Sequence, residues 1–377
     1  MTLDLLTAIS RGAVALFFAA APVGLPAQTG PKSWKVGERP SFEAGSAGAS
    51  GRELFGSLPG AVRLKSGQVI AADGMALHLR VFSASGKLLR ASGRSGGGPG
   101  EFRTIKSIRR CAGDSTFVYD PAVMRISVFG PDGTYARGMD VRSLSVNGLP
   151  PTDFWCNVRG SLAFVHRSTD PPEGEGPRRP NVAITLVRSD GSIVNLGTFP
   201  SSERYFYEPS DLPRPLGKIT SIGLTSTAIF IGTGDSFFVS GFALDGRRSV
   251  DVRATREAVP VTQAQIDVYV NQQLSRQARP ATRGDWERYL RQMQYPKTYP
   301  SFGQLLVDDQ DNLWIEDFPI PGASHRDWSI YSATGAIVAR LRVPGNLRLL
   351  DVGRTYVLGA WWDEDDAQSL RLYSLTR

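Results

Sequence analysis

Two stretches of this 377-residue chain lie over one another without a gap. "IAADGMALHLRVFSASGKLLR", residues 70–90, matches "FVYDPAVMRISVFGPDGTYAR", residues 117–137, with Asp73 on Asp120, Phe82 on Phe129, Gly86 on Gly133 and Arg90 on Arg137, each 47 residues apart. Self-similarity at a fixed period of this size marks one supersecondary unit copied along the chain, and short strands within the unit point to sheets repeated about an axis. The hairpin that ends the unit recurs as "VFSASGKLL" at 81, "VFGPDGTYA" at 128, "LVRSDGSIV" at 186, "GFALDGRRS" at 241 and "IYSATGAIV" at 330. In every copy a glycine (Gly86, Gly133, Gly191, Gly246, Gly335) stands where a tight strand reversal needs positive φ. A further copy, "LYSLTR", starts at Leu372 and stops before its turn, so five hairpins and one truncated strand give six units. A ring of six sheets closes if an N-terminal strand completes the last one, hiding the edges that would recruit other chains. "WKVGERPSF" from Trp34 or "RELFGSL" from Arg52 can supply that strand.

Between the first and second units lies "GRSGGGPGEF", residues 93–102, with five glycines in ten positions. A phosphate-binding loop needs a strand before it, a helix after it and usually Lys-Ser/Thr at the helix start. Here "EFRTIKSIRR" follows, which reads as a strand, so the stretch is a joint that lets the chain cross one face of the ring. The same stretch, followed by "DSTFVYDPAVMRISVFGPDG" with its strand-ending Asp120 and the Arg125-Ile126-x-Val128-Phe129 pattern, resembles the NHL-type repeat of six-bladed β-propellers. Over residues 34–377 the chain resembles a bacterial exported family of such propellers, closely in the second unit; His78 replaces the motif's arginine in the first, and later units depart further. The resemblance implies an all-β, six-bladed propeller closed by an N-terminal strand.

One segment breaks the rhythm: Gly246 and Gly335 are 89 residues apart, about one unit plus 35 to 40 more. "VPVTQAQIDVYVNQQLSRQ" offers a Thr262/Gln265 capping box and places Ile266, Tyr269, Val270 and Leu274 on one helical face. "TRGDWERYLRQMQYP" does the same with Trp286, Tyr289, Leu290 and Met293 before Pro296. A helical insertion over about 261–296, between blades 4 and 5, is expected, with its apolar stripes on the face of the ring or acting as a lid over the channel.

The run "GAVALFFAAAPVGL", residues 12–25, is preceded by Arg11 and followed by "PAQTG". It is too short to span a bilayer and fits a secretory leader cut near Ala27. The expected organisation is a signal peptide over 1–27 and a propeller over 28–377, with a periplasmic or extracellular location and no membrane span. An oxidising compartment permits a disulfide between Cys111 and Cys156, which precede equivalent strands; two buried thiols are the alternative. The net charge of +7 invites a nucleic-acid partner, but only seven of 43 basic residues are lysine and the arginines are scattered among acids, which argues against one.

No catalytic constellation emerges. G-x-S-x-G is absent, and three distant histidines, His78, His166 and His325, suit no zinc site. In "VDDQDNLWI", Asp308, Asp309 and Asp311 are weak calcium ligands or, more simply, a polar turn before a strand. "WWDEDDAQSLRLY" sets Trp361, Trp362, Asp363 and Glu364 in one loop suited to a cationic or sugar ligand; Arg94, Glu101 and Trp286 are further ligand-binding candidates. "STDPPEGEGPRRPN" from Ser168 reads as a polar, mobile loop. The expectation is an exported, non-catalytic binding or scaffold protein of the cell envelope, monomeric and without cofactor, that meets a protein or carbohydrate ligand at one face. The alternative is a metal-dependent hydrolase or lactonase with its site in the central channel.

Overall fold

The computed structural model describes residues 30–45, 54–168, 170–171, 174–208, 210–276, 283–364 and 366–377; the expected leader at 1–27 and its cleavage point lie outside them. From Pro31 onward the chain forms one unit. It is all-β, of propeller type, built from small antiparallel sheets.

The first sheet pairs Ala61–Arg63, Val69–Asp73, His78–Phe82 and Leu88–Ser92 in sequence order, and the second pairs Ser107–Arg110, Thr116–Asp120, Arg125–Phe129 and Tyr135–Asp140. The third contains Pro151–Cys156, Leu162–His166, Asn181–Val187 and Ile193–Pro200; the fourth contains Ser221–Leu224, Ala228–Gly232, Phe238–Ala243 and Val252–Arg253. A fifth set, Leu305–Val307, Leu313–Glu316, His325–Tyr331 and Ile337–Pro344, is followed by Leu347–Val352, Tyr356–Trp362 and Gln368–Thr376. The opening strand of each set touches the opening strand of the next, and Leu347–Val352 touches Ala61–Arg63, so the contacts run in a closed cycle.

Burial follows from that arrangement. A second strand is covered on both faces by neighbouring sheets, so it reads as an unbroken buried run, as in Val69–Asp73, Thr116–Asp120 and Ala228–Gly232. An outer strand such as Leu88–Ser92 alternates instead. The core is divided into wedges, each filled from two consecutive sheets: Val81 and Ile70 meet Ile108 and Phe129 in one, and Phe42 and Phe82 meet Leu358 and Leu372 in another. The hairpin glycines serve these wedges as well as their turns. Gly133 has φ +74°, and a Cβ there would lie 2.7 Å from Val81 of the preceding sheet; at Gly86 it would run into the Phe42 ring.

Lys32–Val36 runs parallel to Ile337–Pro344 and antiparallel to the end of Gln368–Thr376, while Phe42–Ala44 pairs with the middle of Gln368–Thr376. The segment from Trp34 therefore supplies the completing strands, and it bridges two sheets rather than one. Trp34 is buried against Trp314 at 5.6 Å between ring centroids, and Trp314 meets Trp328 at 6.2 Å. Leu54–Leu58 of "RELFGSL" forms no strand, and Arg52 and Glu53 lie outside the described residues.

Two helices, α1 (Gln263–Ser275) and α2 (Arg283–Gln292), lie between the fourth and fifth sets. Thr262 and Gln265 make the expected reciprocal cap. Val270, Leu274 and Leu290 form a small core of their own, flanked by Ile266, Tyr269, Trp286 and Tyr289. These stripes face each other more than the ring. Tyr289 also meets Tyr205 and Tyr207 edge-on, in a three-stranded sheet made by Gly176–Arg178, Arg204–Tyr207 and Ser210–Pro213. Part of the polar "STDPPEGEGPRRPN" stretch is thus strand, ordered by pairing with Arg204–Tyr207 rather than left as loop.

Candidate functional site

The closing residues of five opening strands, Arg110, Cys156, Leu224, Val307 and Val352, line one cavity of about 250 Å³. These strands therefore end together, and the cavity is one mouth of the channel they surround. Ile108, Ile222 and Leu305 give it an apolar floor. Its rim is the set of turns that follow, including Arg159, Asp308, Asp309 and Asp311.

Most rim carboxylates are already engaged. Asp308 accepts the backbone N–H of Gln310 and Asn312, the Trp314 indole N–H at 3.1 Å and the Arg377 guanidinium at 2.7 Å. Asp311 accepts the backbone N–H and hydroxyl of Ser226, in the neighbouring sheet. Asp309 takes part in neither network and is exposed. Cys111 and Cys156 are joined by a disulfide beside this mouth, tying the second sheet to the third across a Cα–Cα distance of 5.5 Å.

Toward the opposite end of the opening strands, α1 borders Asn346, the residue before Leu347–Val352. A cleft of about 490 Å³ lies between α1 (Tyr269, Gln272, Gln273, Arg276), the segment 318–326 and Trp362. The Arg276 guanidinium sits 5.0 Å from the Trp362 ring centroid and pairs with Asp366 at 2.9 Å; Arg348 lies 5.6 Å from the same ring. Among the described residues no carboxylate lines this cleft. Beneath it, Glu316 is almost fully buried and pairs with Arg326 at 2.9 Å. Burial raises the Glu316 pKa against the pull of Arg326 and Arg348. Burial, together with Arg326 beside it, lowers that of Arg348 to about 10. Tyr269 is pushed up to about 12 by burial. A second cleft of about 670 Å³ lies on the other side of 318–326, bordered by Arg256, Asp317 and Tyr299.

The sequence candidates scatter over this frame. Arg94 and Glu101 bond to each other at 2.7 Å inside the glycine stretch, where Glu101 also accepts the Gly98 N–H. Burial costs Glu101 little, and these two hydrogen bonds hold its carboxyl below the usual range. Arg125 donates to the carbonyls of Gly97, Gly98 and Glu101, so the arginine of the repeat motif clamps the joint. The strand expected from Glu101 starts only at Ser107.

Trp286 stacks on Tyr289 at 5.2 Å within the helical pair. Trp361 packs on the Arg371 guanidinium at 4.0 Å, with its ring against the core. Asp363 accepts the Ala367 N–H in a turn, and Glu364 is exposed. Of the proposed loop, Trp362 alone enters the cleft. Sequence reading missed Arg276, Arg326 and Arg348, which come from three separate segments and carry no local signature. It also missed Arg110 and Asp351, whose only mark is their place at the end of an opening strand. Among the described residues no three His, Cys, Asp or Glu side chains are placed to hold one metal ion, and no helix is long and apolar enough to cross a membrane.

No protein-family model and no curated protein matches the chain. Among solved structures, a member of the DUF4221 family from Bacteroides vulgatus is similar with a TM-score of 0.52 at 8% identity, over 92% of this chain and 99% of that one. A Bacteroides fragilis protein inferred to be exported gives 0.48 at 11% identity, over 91% and 95%. Virginiamycin B lyase from Staphylococcus aureus gives 0.43 at 11%, over 92% and 100%. At 8% identity the first likeness concerns the fold and none of the chemistry.

Proposed function

We propose that the chain is an exported six-bladed propeller of the cell envelope, closed by Lys32–Val36 and Phe42–Ala44, with α1 and α2 inserted between blades 4 and 5. It works by binding, and the ligand is a carbohydrate held in the helix-covered cleft. The single observation that carries this reading is the lining of that cleft: one indole face, two guanidinium groups and the amides of Gln272 and Gln273, with no carboxylate among the described lining residues. An aromatic face with convergent donors suits a hydroxyl-rich ligand, and the cavity lies within the size range of small-molecule sites. General acid–base work needs a group poised near neutral pH. The Arg326 and Arg276 side chains are committed to carboxylates, burial pushes Tyr269 up to about 12, and the His325 imidazole that also lines the cleft is held between Ser324 and Asp327.

The hydrolase alternative requires carboxylates converging in the channel. Of the four aspartates lining the channel mouth, Asp308 and Asp311 are spent on turns and on contacts between sheets, which leaves Asp309 and Asp351.

The test is titration of the protein with soluble neutral and uronate-containing oligosaccharides, followed by tryptophan fluorescence and calorimetry. One class is expected to bind, with Trp362→Ala and Arg276→Ala each weakening it about tenfold, ~1.4 kcal/mol. Binding unaffected by either substitution, or calcium-dependent opening of a lactone by the wild-type protein, would overturn the reading.

A further inference from the structure

The channel mouth holds an arginine that the fold does not use. Among the described residues the Arg110 side chain makes no hydrogen bond and no ion pair within 4.0 Å, although it is half-buried and lines the cavity. Its neighbours at this end are engaged: Arg63 stacks over the Tyr356 ring at 4.7 Å, though its Nε has no hydrogen-bond partner. Arg109 donates to the Phe154 carbonyl, lies 3.9 Å from Asp153 and stacks over Trp155 at 4.6 Å, while Arg377 is spent on Asp308. Burying a guanidinium without a partner is unfavourable unless a counter-charge lies close by.

The foremost counter-charge is Asp351, on the opening strand beyond Ala61–Arg63, with Asp114 and Asp309 adding to it. The Arg63 N–H at 2.8 Å and the Tyr356 hydroxyl at 2.9 Å both donate to Oδ2, and the Val352 N–H also acts on the carboxylate, so that among the described residues no side-chain donor is placed on Oδ1. Asp351 and Arg110 attract one another but do not close into an ion pair. Both residues line the 250 Å³ cavity, which is below the usual range of about 300–1,000 Å³ for drug-sized ligands.

We infer that this mouth binds a small zwitterion of the α-amino-acid class, its carboxylate on the Arg110 guanidinium and its ammonium on Asp351. Opposite charges lining one small cavity select a molecule that carries both. A simple anion would meet Asp351, and a simple cation would meet Arg110, each at a cost of like-charge repulsion. The guanidinium offers two parallel N–H groups matched to a carboxylate. The apolar floor at Ile108 and Ile222 leaves room for a short uncharged side chain. This site is independent of the carbohydrate cleft, which lies at the other end of the opening strands, so either reading can fail alone.

The test is calorimetry of the full chain, disulfide intact, against glycine, alanine, serine, lactate and ethylamine. One or more of the three amino acids is expected to bind, with lactate and ethylamine at least tenfold weaker. Arg110→Gln, which removes no bond of the fold, is expected to abolish the signal while leaving thermal unfolding unchanged. Asp351→Asn is expected to weaken binding at least tenfold, with circular dichroism checking that its contacts to Arg63 and Tyr356 survive. Absence of amino-acid binding to the wild-type protein, equal binding of lactate, or unchanged binding by Arg110→Gln would each overturn the inference.

Discussion

The two ends of the opening strands are built in contrasting ways. At the turn end, neighbouring sheets are stapled directly: Cys111 to Cys156, Asp311 to Ser226, and Arg377 to Asp308. At the covered end, a helical pair with its own small core leans on the ring through a few side chains, chiefly Tyr289 on Tyr205 and Tyr207, and Arg276 on Asp366 and Trp362. The helical segment is also pinched at its base, where Pro260 bridges Thr298 and the Val261 N–H reaches the Lys297 carbonyl. Stability is therefore concentrated at one end and adaptable surface at the other. Rigid frames carrying variable loops place recognition on the second kind of surface.

The contrast can be broken most forcefully at the staple. Joint Cys111→Ser and Cys156→Ser substitution releases a cross-link spanning 45 residues, which chain entropy values at about 4 kcal/mol. Urea unfolding is expected to show a loss of that order, with ligand binding at the covered cleft retained by whatever fraction stays folded.

A smaller effect comes from pH. His78 and His166 both have pKa values lowered from 6.5, chiefly by burial, with Arg80 adding to the effect on His78. A histidine whose folded pKa is depressed contributes stability above its unfolded value, and that stability is lost as pH falls through 6.5 toward the folded value. The midpoint of thermal unfolding is expected to fall between pH 7.5 and 5.5. His166→Gln, which keeps a partner for Thr185 but cannot titrate, should reduce the fall.

The smallest effect is expected from excising residues 262–296 and joining the pinched base with two glycines. The remaining protein should unfold cooperatively, within about 1 kcal/mol of the parent. It should also lose the carbohydrate site. A collapse of the fold on excision would erase the distinction between the two ends.

The frame was far more legible in the sequence than the sites were. The match at a spacing of 47 residues between 70–90 and 117–137 located two sheets and their turns, because each turn glycine is required locally. Its second role, admitting Phe42 or Val81 from an adjacent sheet, has no local signature. The Thr262/Gln265 cap and the stripes of α1 and α2 were readable for the same reason, since capping and amphipathicity act within a few residues. What the helices pack against was not, because the Tyr205 hairpin lies more than fifty residues away in sequence. Trp362 could be picked out as an aromatic in an acidic loop. Arg276, Arg326 and Arg348 could not, because ordinary surface arginines look identical until the ring brings three segments together. "GRSGGGPGEF" reads as a joint from its flanks, and Arg125 explains how that joint is held.

The account as a whole rests on the N-terminal strands completing the sheet at the other end of the chain. Lys35 and Thr376 are antiparallel partners across that seam. The decisive measurement is peptide mass spectrometry of the oxidised Lys35→Cys/Thr376→Cys variant. The predicted result is an intramolecular 35–376 disulfide in monomeric protein, with the native 111–156 pair preserved. Cross-links found only between molecules, or free thiols at both positions under oxidation, would contradict the closed ring.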